Sequence, residues 1–299
     1  SLSHKLLGEI ININDKRDYI KITSDYNAIM LEHKRLSNDF FKTLFRDFND
    51  SPEKMSSIII AFYIYTVSDK YDRYKDLQQK LFENHEKNMN IYFSENSKKI
   101  LERPFNELFS KNNGNTNSNN TGLPIVNPTE ILKTGIIWNH SIESGKMEKV
   151  VLSIRSIKDK KIDYNRVSEI MISVFIEWEK YLISKDKIDG ADYINLKILS
   201  FNGSSHELKQ NKDIEDYRLK TIESSTYDLS VANLFSGKDN YLKIYITNIT
   251  KIINIESFSA LQGEKEVLIF SPNNIYNVYD TKKHNIQIGE DSPYSYRFN

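Results

Sequence analysis

Residues 112–122, NNGNTNSNNTG, divide the chain into two stretches whose apolar residues repeat with different periods, and that change of period limits the architecture more than any other feature. Before the divide, Ile29, Leu36, Phe40, Phe41, Leu44, Phe45 and Phe48 recur on a three-and-four-residue step, the spacing of one helical face. A second helix is expected to begin at SPEK: Ser51 caps free amides, Pro52 occupies the first turn and Glu53 complements the positive end of the dipole. It is expected to extend to about Asn88. The segment 95–111 carries Ile100, Leu101, Leu108 and Phe109 on a further helix that Pro104 ends or kinks. The longest apolar run, IIIAFYIYTV at 58–67, is half of what crossing a bilayer requires and reads as a core helix, so no transmembrane segment is expected.

After the divide, short runs rich in Val, Ile and Tyr take over: VVLSIRSI at 150–157, YINLKILSF at 193–201, YLKIYITNI at 241–249 and EVLIF at 266–270. These read as strands. Between the first two, Val167, Ile170, Met171, Val174, Phe175, Trp178, Tyr181 and Leu182 trace one helical face, read as core packing. Strands and helices do not alternate regularly, so the expected class is α+β rather than a doubly wound sheet or a barrel. The organisation expected is a helical region over 1–111, serving as a docking domain or a helical lobe, a flexible Asn-rich linker over 112–122, and an α+β domain over 123–299.

Charge and composition remove several function classes. Lys plus Arg equals Asp plus Glu at 41 each and no basic block stands out, so nucleic acid is not an expected partner. The chain has no cysteine, which removes disulfides, thiolate nucleophiles and Cys-ligated zinc. Its six histidines are scattered, with no pair at a ligand spacing, and no metal is expected. GxGxxG, GxxxxGK[ST], GxSxG and HExxH are all missing. The chain starts at SLSHK rather than Met, which reads as a processed or trimmed terminus.

The stretch with most chemistry in it is SFSALQGEKEVLIF at 257–270. Glu264 and Glu266 are two apart, and in extended backbone that spacing turns both carboxylates to one side and Lys265 to the other. Taken alone, such a pair is usually a solvated pair of charges. Upstream, Ser224, Ser225 and Thr226 precede a short helical pattern at Leu229, Ala232, Leu234 and Phe235, and can simply be an N-cap cluster with Asp228 and Ser230. Arg155 sits in VVLSIRSI on the less apolar side of its strand, with Val151 and Ser153. It can pair with a surface carboxylate, or present a rigid planar fork suited to a diphosphate.

In that order, a strand arginine, an S-S-T cluster and E-x-E-V-L, the chain resembles the arginine, serine, glutamate class of mono-ADP-ribosyltransferases, which includes bacterial toxins and effectors. SSTYDLSVA is similar to the family's S-T-S motif and its small helix, and FSALQGEKEVLI to the loop that leads into E-x-E. The resemblance implies a two-sheet β-sandwich core with flanking helices over 123–299, using NAD as co-substrate without a metal. It implies that Glu266 stabilises the ribose cation, that Ser224 hydrogen-bonds Glu266, and that Arg155, with Ser224, Ser225 and Thr226, binds the cofactor. Glu264 would align the acceptor, and since relatives that modify other acceptors tend to carry Gln there, it implies an arginine acceptor on a protein. Phe258, Leu261 and Gln262 fall in the loop that would read that substrate. A toxin or effector, secreted or translocated into a host cell to modify a host protein, is the implied setting. Two other readings are open: a non-catalytic protein-binding module with a degenerate transferase-like domain, and a glycosidase. The second is disfavoured because carboxylates two residues apart on one strand do not easily flank a sugar on both faces.

Overall fold

The apolar step in the N-terminal third produces a 22-residue helix, α1 (Tyr26–Asp47), whose buried side chains include Ile29, Leu36, Phe40, Phe41, Leu44 and Phe45. The computed structural model describes residues 11–14, 19–22, 26–47, 57–62, 65, 74–86, 92–103, 163–204, 222–236, 241–256, 265–270, 277–280 and 285–288. Phe48, the Ser51 cap, the linker and the strand at 150–157 lie outside them. Residues 57–62 are helical, with Ile58, Ile59, Ile60, Ala61 and Phe62 all buried, as befits a core segment.

Two shorter helices follow, α2 (Tyr74–Glu86) and α3 (Ser94–Glu102). The latter stops at Arg103, whose ψ of 144° is the extended conformation that a following proline imposes, here Pro104. The aromatic stripe at 167–182 belongs to α4 (Tyr164–Asp189). Asp163 caps its start by accepting from Asn165 N at 3.0 Å and Arg166 N at 3.3 Å. Gly190 ends it at φ 63°, where its N–H donates to Asp186 O at 2.8 Å. Nothing lies within 4 Å of where a Gly190 Cβ would stand, so only the left-handed backbone resists a side chain. Gly190→Ala is therefore expected to lower stability by about 1 kcal/mol, read as a shifted urea midpoint with unchanged m value.

The C-terminal strands are β3 (Lys197–Ser204), β4 (Ile222–Thr226), β5 (Tyr241–Asn248), β6 (Ile252–Asn254), β7 (Glu266–Phe270) and β8 (Asn277–Asp280), with helix α5 (Leu229–Ser236) after β4. They form one antiparallel sheet in the order β6-β7-β4-β3-β5-β8. A second, three-stranded sheet joins β1 (Ile11–Asn14) and β2 (Tyr19–Ile22) to β9 (Asn285–Ile288), so the two ends of the chain meet in it. The molecule is α+β. The strand expected over 193–201 begins only at Lys197, because Asp186 accepts hydrogen bonds from the amides of Tyr193 and Ile194 and holds Tyr193–Asn195 in a 3-10 turn.

The helices of the N-terminal region and the large sheet share one buried core. Gln78 of α2 donates to Ile222 O of β4 at 2.8 Å, and Asn254 N of β6 donates to Ser37 Oγ of α1 at 3.1 Å. From α4, Trp178 Nε1 donates to Ile249 O at 2.7 Å, and Phe175 lies 5.2 Å from Phe270 of β7. These contacts fix β4 and β7, where the candidate chemistry lies, from the side of the helices.

Candidate active site

Strand β4, Ile-Glu-Ser-Ser-Thr, has strand formers only at its two ends, with a glutamate and two serines between them. Its position between β3 and β7 decides the matter. Ser224 pairs with Leu268, Ser225 with Val267 and Thr226 with Glu266. Alternation then separates the three hydroxyls, with Ser224 and Thr226 on the Glu266 face and Ser225 on the other.

Each hydroxyl has a different task. Ser224 Oγ donates to Glu266 Oε1 at 2.7 Å, a charge-assisted bond running diagonally across the β4–β7 pair. Ser225 Oγ is 2.8 Å from Ser200 Oγ of β3 on the opposite face. Thr226 Oγ1 accepts from Asp228 N at 3.1 Å and shapes the turn into α5. The cap of α5 is Asp228 alone, whose Oδ1 accepts from Ser230 N at 2.9 Å. Ser225 and Thr226 thus have partners inside the protein, and Ser224 is the more exposed of the three.

Glu266 is only 5% exposed, and it opens a strand that is buried at every position. Its main chain is pinned as well, because Ile255 N donates to its carbonyl at 3.2 Å. A carboxylate held by a neighbouring hydroxyl on a rigid central strand is pre-organised to meet a developing positive charge. On the other face a second buried carboxylate, Glu223, accepts from Tyr245 Oη at 3.1 Å.

At Lys265 the backbone departs from the extended conformation expected between the two glutamates. Its φ is 46°, in the left-handed region, so the chain is not extended between the two glutamates and period-two geometry does not set where Glu264 points. Such a conformation in a residue with a Cβ costs about 1 kcal/mol or more and needs support from its surroundings. Lys265 Nζ lies 2.7 Å from Asp228 Oδ2. Burial opposes ionisation of Asp228, but the hydrogen bonds from Lys265 and Ser230 together with the Lys265 charge outweigh it and hold its pKa below the usual carboxylate range.

Helix α1 reaches the same turn through His33, which periodicity could have flagged because it falls between Ile29 and Leu36 on the apolar stripe. Its Nε2–H donates to Ile252 O at 2.8 Å, leaving Nδ1 to accept from the hydroxyl of Tyr227, the residue after β4. Complete burial pushes its pKa down to about 4, against a smaller upward pull from the Ile252 hydrogen bond. The imidazole is neutral at pH 7.

Of the residues expected at the site, the structure brings Ser224, Ser225, Thr226 and Glu266 into adjacent strands. Arg155, Phe258, Leu261, Gln262 and Glu264 lie outside the described residues. Among the described residues no cluster of three His, Asp or Glu is arranged to hold a metal ion, and no helix is long and apolar enough to cross a membrane. No family model matches the chain, and no curated protein or solved structure matches it.

Proposed function

We propose that the chain is an enzyme that cleaves the nicotinamide–ribose bond of NAD and transfers the ADP-ribosyl group. Within that class we assign it as a protein-arginine mono-ADP-ribosyltransferase. The observation that carries the reading is the Ser224–Glu266 hydrogen bond: two residues 42 apart in sequence, singled out by motif alone, meet at 2.7 Å on neighbouring strands. The antiparallel β4–β7 pair is consistent with one sheet of a two-sheet transferase sandwich.

The chemistry follows from the charges. As the glycosidic bond breaks, nicotinamide leaves as a neutral base with the bonding electron pair, and the ribose becomes oxocarbenium-like. Glu266 stabilises that cation, and Ser224 keeps the carboxylate oriented without joining the reaction. A guanidinium is a poor nucleophile because it is protonated, so Glu264 aligns it and takes its proton as the nitrogen attacks C1 of the ribose. Arg155 supplies a planar fork for the diphosphate. The toxin or effector setting, a host protein as acceptor, and secretion or translocation rest on the motif resemblance alone.

Incubation with labelled NAD and a mixed protein extract, followed by mass spectrometry of the labelled protein, tests the assignment. Arginine-linked label is expected. Glu264→Ala is expected to lose transfer by at least about 10²-fold while keeping part of the NAD hydrolysis, because water needs no such alignment. Absence of both label and NAD binding by calorimetry would leave a protein-binding module instead.

A further inference from the structure

The β4–β7 ladder ends at Thr226 and Glu266, yet the strands stay tied one step further out. Continued in antiparallel register, Tyr227 would face Lys265. Backbone pairing stops because Lys265 has left the extended region. A side chain takes over: Lys265 Nζ reaches Asp228 Oδ2 at 2.7 Å. The acceptor is buried and the donor is half-exposed. Asp228 is 8% exposed, its Oδ1 caps α5 and its N–H is bonded to Thr226 Oγ1, whereas Lys265 is 42% exposed. Tyr227, between the two ends of that turn, is hydrogen-bonded to His33 of α1.

We propose that Lys265 and Asp228 form a positioning pair that sets the conformation from which the chain enters β7, and so holds the Glu266 carboxylate in line with Ser224 and with the reacting ribose. This rests on the transferase reading of Glu266. Neither group touches the reacting atoms. Lys265 is the residue between the two glutamates, so the pair acts on the left-handed backbone unit that leads into Glu266. A misplacement of about 1 Å at a reacting group is enough to cost about 10²-fold in rate.

Asp228→Asn removes the charge and keeps the helix cap, which Asn forms as well as Asp. Lys265→Gln removes the ammonium at a half-exposed position and does not threaten folding, and Lys265→Arg restores a cation. On the full chain, NAD hydrolysis kinetics are measured beside hydrogen–deuterium exchange of the peptide spanning 265–270. Asp228→Asn and Lys265→Gln are each expected to lower kcat about 10- to 100-fold with KM for NAD changed less than about twofold. The double variant should be no worse than the worse single one, Lys265→Arg should recover most of the rate, and exchange at the start of β7 should quicken in the two impaired variants. Unchanged kcat and exchange, or losses that multiply in the double variant, would overturn the proposal. A wild-type chain with no NAD turnover removes the transferase reading; exchange then decides alone, and unchanged exchange overturns the pair as well.

Discussion

Replacing Glu266 by Gln is expected to reduce ADP-ribosyl transfer and NAD hydrolysis together by at least about 10³-fold while leaving the fold intact. Gln has the shape of Glu and keeps an oxygen that can accept from Ser224, so the 2.7 Å contact across β4 and β7 survives and only the negative charge is lost. That charge is what a ribose cation requires. Stability should not fall, because removing one buried charge from a hydrogen-bonded site removes a desolvation cost, and thermal unfolding of Glu266→Gln should match or exceed that of the parent. Ser224→Ala separates orientation from charge. It leaves the carboxylate in place without the Ser224 hydroxyl, and kcat is expected to fall about 10- to 100-fold with little change in KM for NAD. Combined with Glu266→Gln it should add nothing, since Ser224 acts only through that carboxylate. Full transfer activity in Glu266→Gln would sink the assignment.

What could be foreseen from the residues depended on how local the cause was. The three-and-four step marks α1 and α4 because their cores are amphipathic stripes that carry their own register, while the ends of α4 at Asp163 and Gly190 are set by the caps found in the structure. EVLIF is β7 as expected, since the continuous apolar run of four after Glu266 suits a strand buried on both faces. Strand β4 has no such mark: Glu-Ser-Ser-Thr reads as a cap, and only its neighbours β3 and β7 make it a strand. The link from Ser224 to Glu266 was legible as a motif but not as a register. Conversely, alternation does not extend through Lys265, whose left-handed backbone and ion pair to a residue 37 positions away no local pattern encodes. The cap at Asp228 is legible in the sequence, but its ion pair with Lys265 and the bond from Tyr227 to His33 are not, because both partners lie on other elements.

Acid should weaken the fold well above the range in which carboxylates titrate, and His33 should be the cause. Its pKa stands near 4 in the folded chain against 6.5 when exposed, so between those values the unfolded state binds the proton that the folded state refuses. Stability that is complete above pH 6.5 is then lost as the pH falls toward 4, by about 1.4 kcal/mol per unit at most and about 3 kcal/mol in all. The carboxylate Asp228, whose folded pKa is lowered, acts in the same direction but only at more acid pH, so the two windows separate. The penalty has a structural source. The His33 ring is 1% exposed, packed edge-on against Trp178 and Tyr227, and both of its nitrogens are committed, Nε2–H to Ile252 O and Nδ1 to the Tyr227 hydroxyl. A second proton on Nδ1 would place a charge among aromatic rings and remove the acceptor that ties α1 to the turn after β4. Urea unfolding near pH 7 and near pH 4.5 should therefore differ by about 2 to 3 kcal/mol in the parent chain. In His33→Gln, which cannot ionise, the fold should be weaker at pH 7 but the difference between the two conditions should largely vanish. An equal difference in both proteins would mean that the proton responsible binds elsewhere.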